Sequence, residues 1–433
     1  MRRRSEGGRA IGRVSERIER WTGGGDKGYG AEFARAYDEG LRDLWRRDTN
    51  ELGKILLCRA ENKLESTTRL VQELNQAKAF PANKLGYQDY KGMVELREAV
   101  SRYANRHICK SARMEPEDLM VSAGCGVVLE NCFFCFCDYG DACLVPAPYY
   151  GQFGRDLGMR AGVEIVKVHP SSASADRFGK LSVEDLQAAY TPKCKVLLLT
   201  NPHNPLGIVH SKADLIAVLR WAQSLDLHVI SDEIYACSVY KNKDDFVSLA
   251  DLVSELELPD EHWVQTHCHT VFGFSKDFGA SGLRIGALHS KNSAIVHAWN
   301  ALGYSCAISS SCQWDFAAVL GKDEFVADFL AENARCLAQA SEKLTSALQQ
   351  AGIPFVGEPS AGLFLFIDLR GLLEDNSFDA ERKLWSRLVS RGVVLNPGQS
   401  CGMKTPGYFR LCFAWMSDPS CLPVAVERIA SLR

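Results

Sequence analysis

Three short apolar runs constrain the fold of this 433-residue chain more than any other feature. They lie at residues 195–200, 227–231 and 270–274, and a helical stretch that Ser211 would cap separates the first two. Buried strands that alternate with amphipathic helices are typical of βαβ units, in which neighbouring strands run parallel. We therefore expect an α/β fold built around a mainly parallel sheet.

Polar side chains follow each of these runs. Asn204 lies in the turn after the first run, Asp232 follows the second with Tyr235 three residues later, and Lys276 follows the third. Ligands of such sheets gather beyond the carboxyl ends of the strands. We therefore expect these four side chains to converge on one place.

This set of side chains favours Schiff-base chemistry. A Lys amine adds to an aldehyde more readily when desolvation lowers its pKa. An Asp carboxylate beneath a pyridine nitrogen keeps that nitrogen protonated, so that the ring becomes an electron sink. The alternative, which the spacing leaves open, is a surface ion pair between Lys276 and Asp232 with Tyr235 packing nearby.

The composition limits the classes of function. Lys and Arg total 50 and Asp and Glu total 53, a net charge of −3, whereas a dedicated nucleic-acid binder carries a strong basic excess. The longest strongly apolar segment, residues 121–137, carries Glu130 and Asn131 in its middle, and a membrane span needs ~20 predominantly apolar residues. We expect a small-molecule partner, with no nucleic acid and no membrane.

The sixteen cysteines raise the question of disulfides and metals. Most lie in apolar runs, where a thiol behaves as a small hydrophobic side chain, and this favours a reduced, cytoplasmic protein. The CxxC pair in NCFFCFC (residues 131–137) has no second pair or matching histidines, so we interpret it as a helix packed by its phenylalanines. The histidines at 267 and 269 have no third partner nearby and are expected to be solvated. Neither pattern predicts a metal site.

The N-terminus is the most biased segment. Residues 1–21 hold seven Arg and three Glu, and Ile11, Val14, Ile18 and Trp21 form one apolar stripe at helical spacing. An Arg-rich amphipathic start is typical of organellar transit peptides, but the glutamates weaken that interpretation. We interpret the segment as a flexible lead followed by a helix, and the transit peptide stays open as the alternative.

Several motifs in the right order resemble the class I/II aminotransferases, which depend on pyridoxal 5′-phosphate (PLP). The motifs that carry this resemblance are TNPHNPLG (200–207), SDEIYA (231–236) and FSKDFGASGLRIG (274–286). Four others are similar to the 1-aminocyclopropane-1-carboxylate (ACC) synthase branch: AEN (60–62), YQDYKG (87–92), LVPAPYYGQFGRDL (144–157) and YFRLCFAWM (408–416). The resemblance runs from about residue 55 to residue 416.

The resemblance implies PLP fold type I, an α/β fold in which a large domain with a mainly parallel, seven-stranded type of sheet accompanies a smaller α/β domain. The expected divisions are an N-terminal segment (1–54), an N-terminal part of the small domain (55–89), a large PLP-binding domain (90–320) and a C-terminal small domain (321–433). In the last of these, residues 326–350 predict one long amphipathic helix, and residues 362–369 and 408–415 predict strands.

The resemblance also assigns roles to the residues around the cofactor ring. Lys276 would bind PLP covalently and then move the α-proton of the substrate as general base and acid. Asp232 would pair with the pyridinium nitrogen, and Tyr235 and Asn204 would hold the ring oxygen. Tyr150 would stack on the face of the ring.

Further residues would bind the phosphate and the substrate. Arg284 would grip the phosphate together with Ser275, Cys125 and Gly126, and Tyr90 would reach over from a neighbouring subunit, which implies a homodimer. The substrate contacts are Arg410, which would bind the α-carboxylate of an amino acid with two parallel hydrogen bonds, and Glu61 and Gln88.

The chain departs from the family at the phosphate cup. Cys125-Gly126 stands where the family usually has a hydroxyl residue, and Gly273 stands where it tends to have Ser. Two missing hydroxyl donors predict weaker retention of PLP, by about 1 kcal/mol each. Gly273→Ser is accordingly expected to tighten PLP binding. PYYGQ in place of PYYPG also leaves the substrate-side loop (149–152) in doubt.

The favoured function is that of an ACC-synthase-like lyase, which acts on S-adenosylmethionine by α,γ-elimination. The alternative is an aminotransferase that moves an amino group between an amino acid and a 2-oxo acid. A non-catalytic protein with a PLP fold is the least favoured of the three, because Lys276 and its partners are intact.

Overall fold

A seven-stranded sheet forms the centre of the computed structural model, which describes residues 30–76, 79–171, 178–255 and 261–433. Its strands are β2 (Leu119–Ser122), β3 (Ala142–Pro146), β4 (Glu164–Val168), β5 (Cys194–Thr200), β6 (His228–Asp232), β7 (Cys268–Gly273) and β8 (Gly286–His289). Their order is β2-β8-β7-β6-β5-β3-β4, and β8 alone runs antiparallel to its neighbours. The predicted mainly parallel sheet is confirmed. The expected helix at residues 11–21 lies outside the described residues.

Helices cover both faces of this sheet. The first helix, α1 (Gly30–Arg42), does not belong to this group, because its buried residues Ala36 and Tyr37 lie in the core formed by residues from both ends of the chain. The helices on the sheet are α2 (Thr68–Leu74), α3 (Val94–His107), α4 (Cys125–Phe136), α5 (Phe153–Gly158), α6 (Val183–Ala189), α7 (Lys212–Ser224), α8 (Leu249–Glu255), α9 (Glu261–His267), α10 (Phe274–Asp277), α11 (Ser293–Leu302) and α12 (Ser310–Leu320). Alternate residues of β5 enter different core clusters, Val196 on one face and Leu197 on the other. A strand buried on both faces must be apolar throughout, which explains the continuous run in the sequence.

A second group of elements comes from both ends of the chain. The short strand β1 (Ile55–Leu56) pairs in parallel with β10 (Val393–Val394). An antiparallel sheet is formed, in this order, by β11 (Asn396–Pro397), β12 (Tyr408–Cys412) and β9 (Phe364–Asp368). The remaining elements are α13 (Asp323–Gln350), α14 (Phe378–Ser390) and α15 (Cys421–Ala430). The predicted long helix and both predicted strands are confirmed, although the strands are shorter than expected.

The helix predicted for NCFFCFC forms as the end of α4, but its phenylalanines do not all pack. Phe133 is fully buried, whereas Phe134 is 60% exposed, because adjacent helical residues face different directions.

The histidines of residues 267–269 are not solvated as expected. His269 is fully buried, its Nε2 lies 3.2 Å from Nδ1 of His228, and the Phe136 ring stacks on both imidazoles. Strand β7 begins at Cys268, two residues earlier than the pattern suggested, and this places His269 inside the sheet. Within the described ranges, no group of three or more His, Cys, Asp or Glu side chains is arranged to hold a metal ion. The helices described there also include none that is long and apolar enough to cross a membrane.

Candidate active site

Two cavities meet at Lys276 and Tyr150, beyond the carboxyl ends of β5, β6 and β7. The inner cavity has a volume of about 200 Å³ and is lined by buried residues, among them Asp232, Asn204 and Tyr235. The outer cavity has a volume of about 430 Å³, and Arg410 contributes to its wall. Because Lys276 lies in the wall of both cavities, its side chain can contact a group bound in the inner cavity and a molecule bound in the outer one.

Lys276 sits in the first turn of α10, directly after β7. Its Nζ donates a hydrogen bond of 2.6 Å to the carbonyl oxygen of Ala60. Burial lowers the pKa of Lys276, chiefly by desolvating the ammonium form. A larger neutral fraction favours attack on an aldehyde and uptake of a proton.

Asp232 ends β6 and is buried, with 5% of its surface exposed. Its Oδ1 accepts a long hydrogen bond of 3.3 Å from the backbone N–H of Ile234. Burial raises the pKa of Asp232 to about 7. A pyridinium N–H in the inner cavity would supply the strong donor that the described residues do not give this carboxylate, so the site fits a protonated pyridine ring.

Tyr235 and Asn204 also line the inner cavity. Burial raises the pKa of Tyr235 well above its usual value, so the phenol keeps its proton and can donate it in a hydrogen bond. The Oδ1 of Asn204 accepts a hydrogen bond of 3.1 Å from Arg410, which leaves the Asn204 NH₂ group to donate. The ring of Tyr150 is held edge-on by Phe153, at a centroid distance of 5.3 Å. The Tyr235 phenol and the Asn204 amide can donate to the oxygen of a hydroxypyridine, and the Tyr150 ring can lie against the face of that ring.

A cup for an anion closes the other end of the inner cavity. It combines the N-terminus of α4, at Cys125 and Gly126, with Ser275 and Arg284. The guanidinium of Arg284 is fixed by hydrogen bonds to the carbonyl oxygens of Ser281 (3.0 Å) and Ala123 (3.2 Å). Free backbone N–H groups at a helix N-terminus and a guanidinium together suit a phosphate.

A glycine is required next to this cup. Gly124 has a φ of 94°, which side chains rarely adopt, and a Cβ there would overlap the Nη2 atom of Arg284. The close approach of the guanidinium to the backbone of the cup therefore depends on Gly124.

The structure gives a steric reason to expect that Gly273→Ser does not tighten PLP binding. A Cβ at position 273 would lie 2.8 Å from the carbonyl oxygen of Ile285 and 2.9 Å from Sγ of Cys125. Cys125 is itself fixed, because its thiol donates to the carbonyl oxygen of Phe272 at 3.1 Å. The thiol thus occupies space beside Gly273, and a serine would need a shift of the backbone.

Arg410 projects from β12 into the outer cavity. Its Nη1 donates to Asn204 and its Nη2 donates to the carbonyl oxygen of Cys58 at 2.9 Å. Its Nε is buried and, within the described part of the chain, has no hydrogen-bond partner. A buried guanidinium that two hydrogen bonds orient in the wall of a cavity fits a substrate carboxylate.

Of three other predicted residues, one lines a cavity and two do not. Glu61 lines the outer cavity, and its Oε2 lies 3.7 Å from Nζ of Lys63. Gln88 and Tyr90 line neither cavity of a single chain. Gln88 donates to the carbonyl oxygen of Gly86 at 2.9 Å, and the Tyr90 ring lies edge-on to Tyr304 at 5.8 Å.

The sequence reasoning missed several residues of the two cavities. Asp156 lines the inner cavity, and Arg59, Gln152 and Arg155 line the outer one. Their positions beside the AEN and PYYGQ motifs were the available signal, because a segment that carries one cavity residue often carries another.

The departure from PYYPG also has a structural reason. A Cβ at Gly151 would overlap the carbonyl oxygen of Ser400, in the turn of Gly398–Cys401. The loop after Tyr150 therefore packs directly against the turn that follows β11, and this contact leaves no room for a proline ring at position 151.

Comparison with known proteins agrees with this geometry. The family model for aminotransferase class I and II matches residues 53–429. ACC synthase 11 of Arabidopsis thaliana is 31% identical over 420 residues, covering 94% of this chain and 90% of that protein. The ACC synthase of Glycine max is 34% identical over 410 residues, covering 91% and 83%.

Solved structures show the same fold. The aspartate aminotransferase of Thermus thermophilus with maleate has a TM-score of 0.79 at 23% identity, covering 98% of this chain and all of that one. The aspartate aminotransferase of Thermotoga maritima has a TM-score of 0.77 at 24% identity, covering 96% and 99%. The chain belongs to the aminotransferase class I and II family, and its cofactor is pyridoxal 5′-phosphate.

Proposed function

We propose that the protein is an ACC-synthase-like lyase that converts S-adenosylmethionine to ACC by α,γ-elimination. The observation that carries the proposal is the buried guanidinium of Arg410, held by two hydrogen bonds in the wall of a cavity that also includes Lys276. An enzyme that removes the α-proton of an amino acid needs a group that binds the α-carboxylate and a base that reaches Cα, both within the length of one small molecule. Curated ACC synthases that match most of the chain at 31–36% identity support this branch of the family.

The inner cavity would hold the cofactor through contacts that its own residues offer. Bound PLP supplies an electron sink for the charge that develops at the substrate Cα. The carboxylate of Asp232 would face the ring nitrogen, and the Tyr235 phenol and the Asn204 amide would donate to the ring oxygen. The cup beside Arg284 would take the phosphate.

The outer cavity would orient the substrate. Arg410 would take the α-carboxylate, and this would hold Cα toward Lys276, whose Nζ would accept the α-proton. Cα would then bond to Cγ as the bond from Cγ to sulfur breaks, and the proton would pass from Lys276 to solvent, because ACC carries no α-hydrogen. The lowered pKa of Lys276 favours the neutral amine that this step requires. Glu61 is the one acid among the described residues that line this cavity, and its charge suits the sulfonium of S-adenosylmethionine.

Product analysis of the PLP-loaded protein tests the proposal. Incubation with S-adenosylmethionine should release ACC and methylthioadenosine in equal amounts, measured by liquid chromatography and mass spectrometry. The variant Lys276→Ala should release neither while remaining folded. Absence of ACC from wild-type protein with bound PLP would refute the lyase proposal.

Transamination is a second candidate, favoured by the charges at the mouth of the outer cavity. Arg59 and Arg155 line it, both are exposed, and neither makes an ion pair with an acid of the described chain. Arg59 lies over the Tyr37 ring at 4.1 Å. Two unpaired cations suit a substrate with an acidic side chain. L-Aspartate and L-glutamate, each with a 2-oxo acid, should then give the corresponding new amino acid, and absence of that product would reject this candidate.

We further propose a homodimer in which Tyr90 and Gln88 enter the partner's site. The supporting observation is a group of exposed apolar side chains near Tyr90: Leu85 is 79% exposed, Tyr87 88% and Tyr304 68%. Sedimentation should give a dimer. Mixing Tyr90→Ala protein with Lys276→Ala protein should restore activity, because a hybrid dimer has one site with neither substitution. A monomer at all concentrations would contradict the proposal.

The divisions at residues 54, 89 and 320 and a cytoplasmic location also remain proposals. The pairing of β1 with β10 supports a small domain that combines residues 55–89 with the C-terminal part. Limited proteolysis that cuts near residue 320 would support the division, and imaging of a fluorescent fusion would test the location.

A further inference from the structure

Asp156 is a carboxyl group in the inner cavity that the mechanism above does not use. It lies on α5 and faces the N-terminus of α4, where a Cβ on Gly126 would be 3.4 Å from its Oδ1. Its side chain accepts no hydrogen bond from any residue of the described chain. A partly buried carboxyl group that accepts no hydrogen bond, beside an anion cup, points to a ligand group that would complete it.

The charges around Asp156 disfavour its ionised form. Glu130 lies one turn further along α4, and Asp232 lies on β6 at the other end of the same cavity. Arg155, on its own helix, acts in the opposite direction, and Arg284 and Lys276 line the cavity as further cations. Burial is the largest effect and raises the pKa of Asp156 to about 6.

We propose that Asp156 is a phosphate-positioning residue whose protonated carboxyl group donates its O–H to the cofactor phosphate. It would replace hydroxyl donors that Cys125, Gly126 and Gly273 do not provide. The inference rests on the assignment of PLP to the inner cavity. It requires neither ACC synthesis nor transamination.

This role makes PLP binding depend on pH. Below about pH 6 the carboxyl group is protonated before PLP binds, so Asp156 adds no pH dependence. Above that pH, binding must bring a proton to Asp156, because the incoming phosphate disfavours a second anion beside it. One proton taken up weakens binding by up to about tenfold for each pH unit, until the bound form also loses its proton.

The test compares PLP dissociation constants of wild-type protein, Asp156→Asn and Asp156→Leu between pH 6 and pH 9. PLP is added to the protein after removal of the cofactor, and binding is followed by quenching of tryptophan fluorescence. Asp156→Asn keeps the shape and donates an N–H at every pH, whereas Asp156→Leu cannot donate. Titrations of the phosphate and of Lys276 are common to wild type and Asp156→Asn, so the ratio of their dissociation constants isolates Asp156.

We expect wild-type protein to lose at least fivefold in affinity relative to Asp156→Asn between pH 6 and pH 8.5. Asp156→Leu should bind weakly throughout. Glu130→Gln, the matched control on α4, should shift the onset of the pH dependence downward without removing it. A ratio that does not change with pH, or equal binding by the Asn and Leu variants, would overturn the proposal.

A second readout needs no variant. The ³¹P resonance of PLP bound to wild-type protein should shift with one extra titration above pH 6, and its absence would also overturn the role of Asp156. No PLP binding at any pH would instead refute the cofactor assignment itself.

Discussion

The substitution Gly273→Ser tests whether PLP binding at the phosphate cup is limited by the space at position 273 or by the missing hydroxyl groups. The new Cβ would lie 2.8 Å from the Ile285 carbonyl oxygen and 3.1 Å from the Cα of Gly286, both of which are backbone atoms. Gly286 cannot retreat easily, because a Cβ on it would already lie 2.5 Å from the backbone N of Cys125. Overpacking of this kind costs about 1–3 kcal/mol. We expect Gly273→Ser to lower the unfolding temperature and to weaken PLP binding.

A double-mutant cycle with Cys125→Ala separates the causes. Removing the thiol relieves the contact at 2.9 Å but leaves the two backbone contacts, so a favourable coupling of about 1 kcal/mol is expected between the two substitutions. Thermal unfolding of the cofactor-free protein and PLP titration by fluorescence give the two free energies independently. Tighter PLP binding by Gly273→Ser alone would refute the steric reasoning.

Three further predictions concern other parts of the molecule. Arg410→Gln removes charged hydrogen bonds worth about 2–3 kcal/mol, so the KM for the amino acid should rise roughly 30- to 150-fold while the PLP dissociation constant stays unchanged. Asp232→Asn should retain bound PLP but lose at least 100-fold in kcat, measured by product formation, because the amide cannot hold a positive ring nitrogen. Burial lowers the pKa of His228 to about 3. Between about pH 6.5 and pH 3, His228 is therefore protonated in the unfolded state but neutral in the folded state. Stability should therefore fall between pH 6.5 and pH 3, and His228→Phe should reduce that slope in unfolding experiments.

The fold was largely predictable, because the short, continuous apolar runs that form β5, β6 and β7 alternate with helices, and this pattern is typical of strands buried in a parallel sheet. The same logic located Lys276 and Asp232, since polar residues at the ends of parallel strands share one edge of the sheet. The same reasoning failed for His269, because the hydrophobic pattern of the sequence does not mark a polar residue at the start of a buried strand as part of that strand. Its burial depends on the rings of His228 and Phe136, which come from other parts of the chain.

The contents of the site were harder to predict than its location. Motif spacing identifies residues that face a cavity, but it does not reveal which space near them is already filled. Arg410 could be assigned to a carboxylate, whereas the hydrogen bonds that orient it reach Cys58 and Asn204, which lie 352 and 206 residues away along the chain. Such partners are set by the tertiary fold alone.

Two of the departures from the family pattern illustrate this difference. From the sequence, a glycine at position 273 indicated a lost hydroxyl group, and a glycine at position 151 left the substrate-side loop in doubt. In the structure each glycine instead accommodates another part of the chain, the Cys125 thiol in one case and the Ser400 carbonyl in the other. Restoring the family residue at either position would therefore create an overlap with the group that the glycine accommodates. At position 273 that group includes a side chain that can be changed, and the double-mutant cycle between residues 273 and 125 measures how strongly the two positions are coupled.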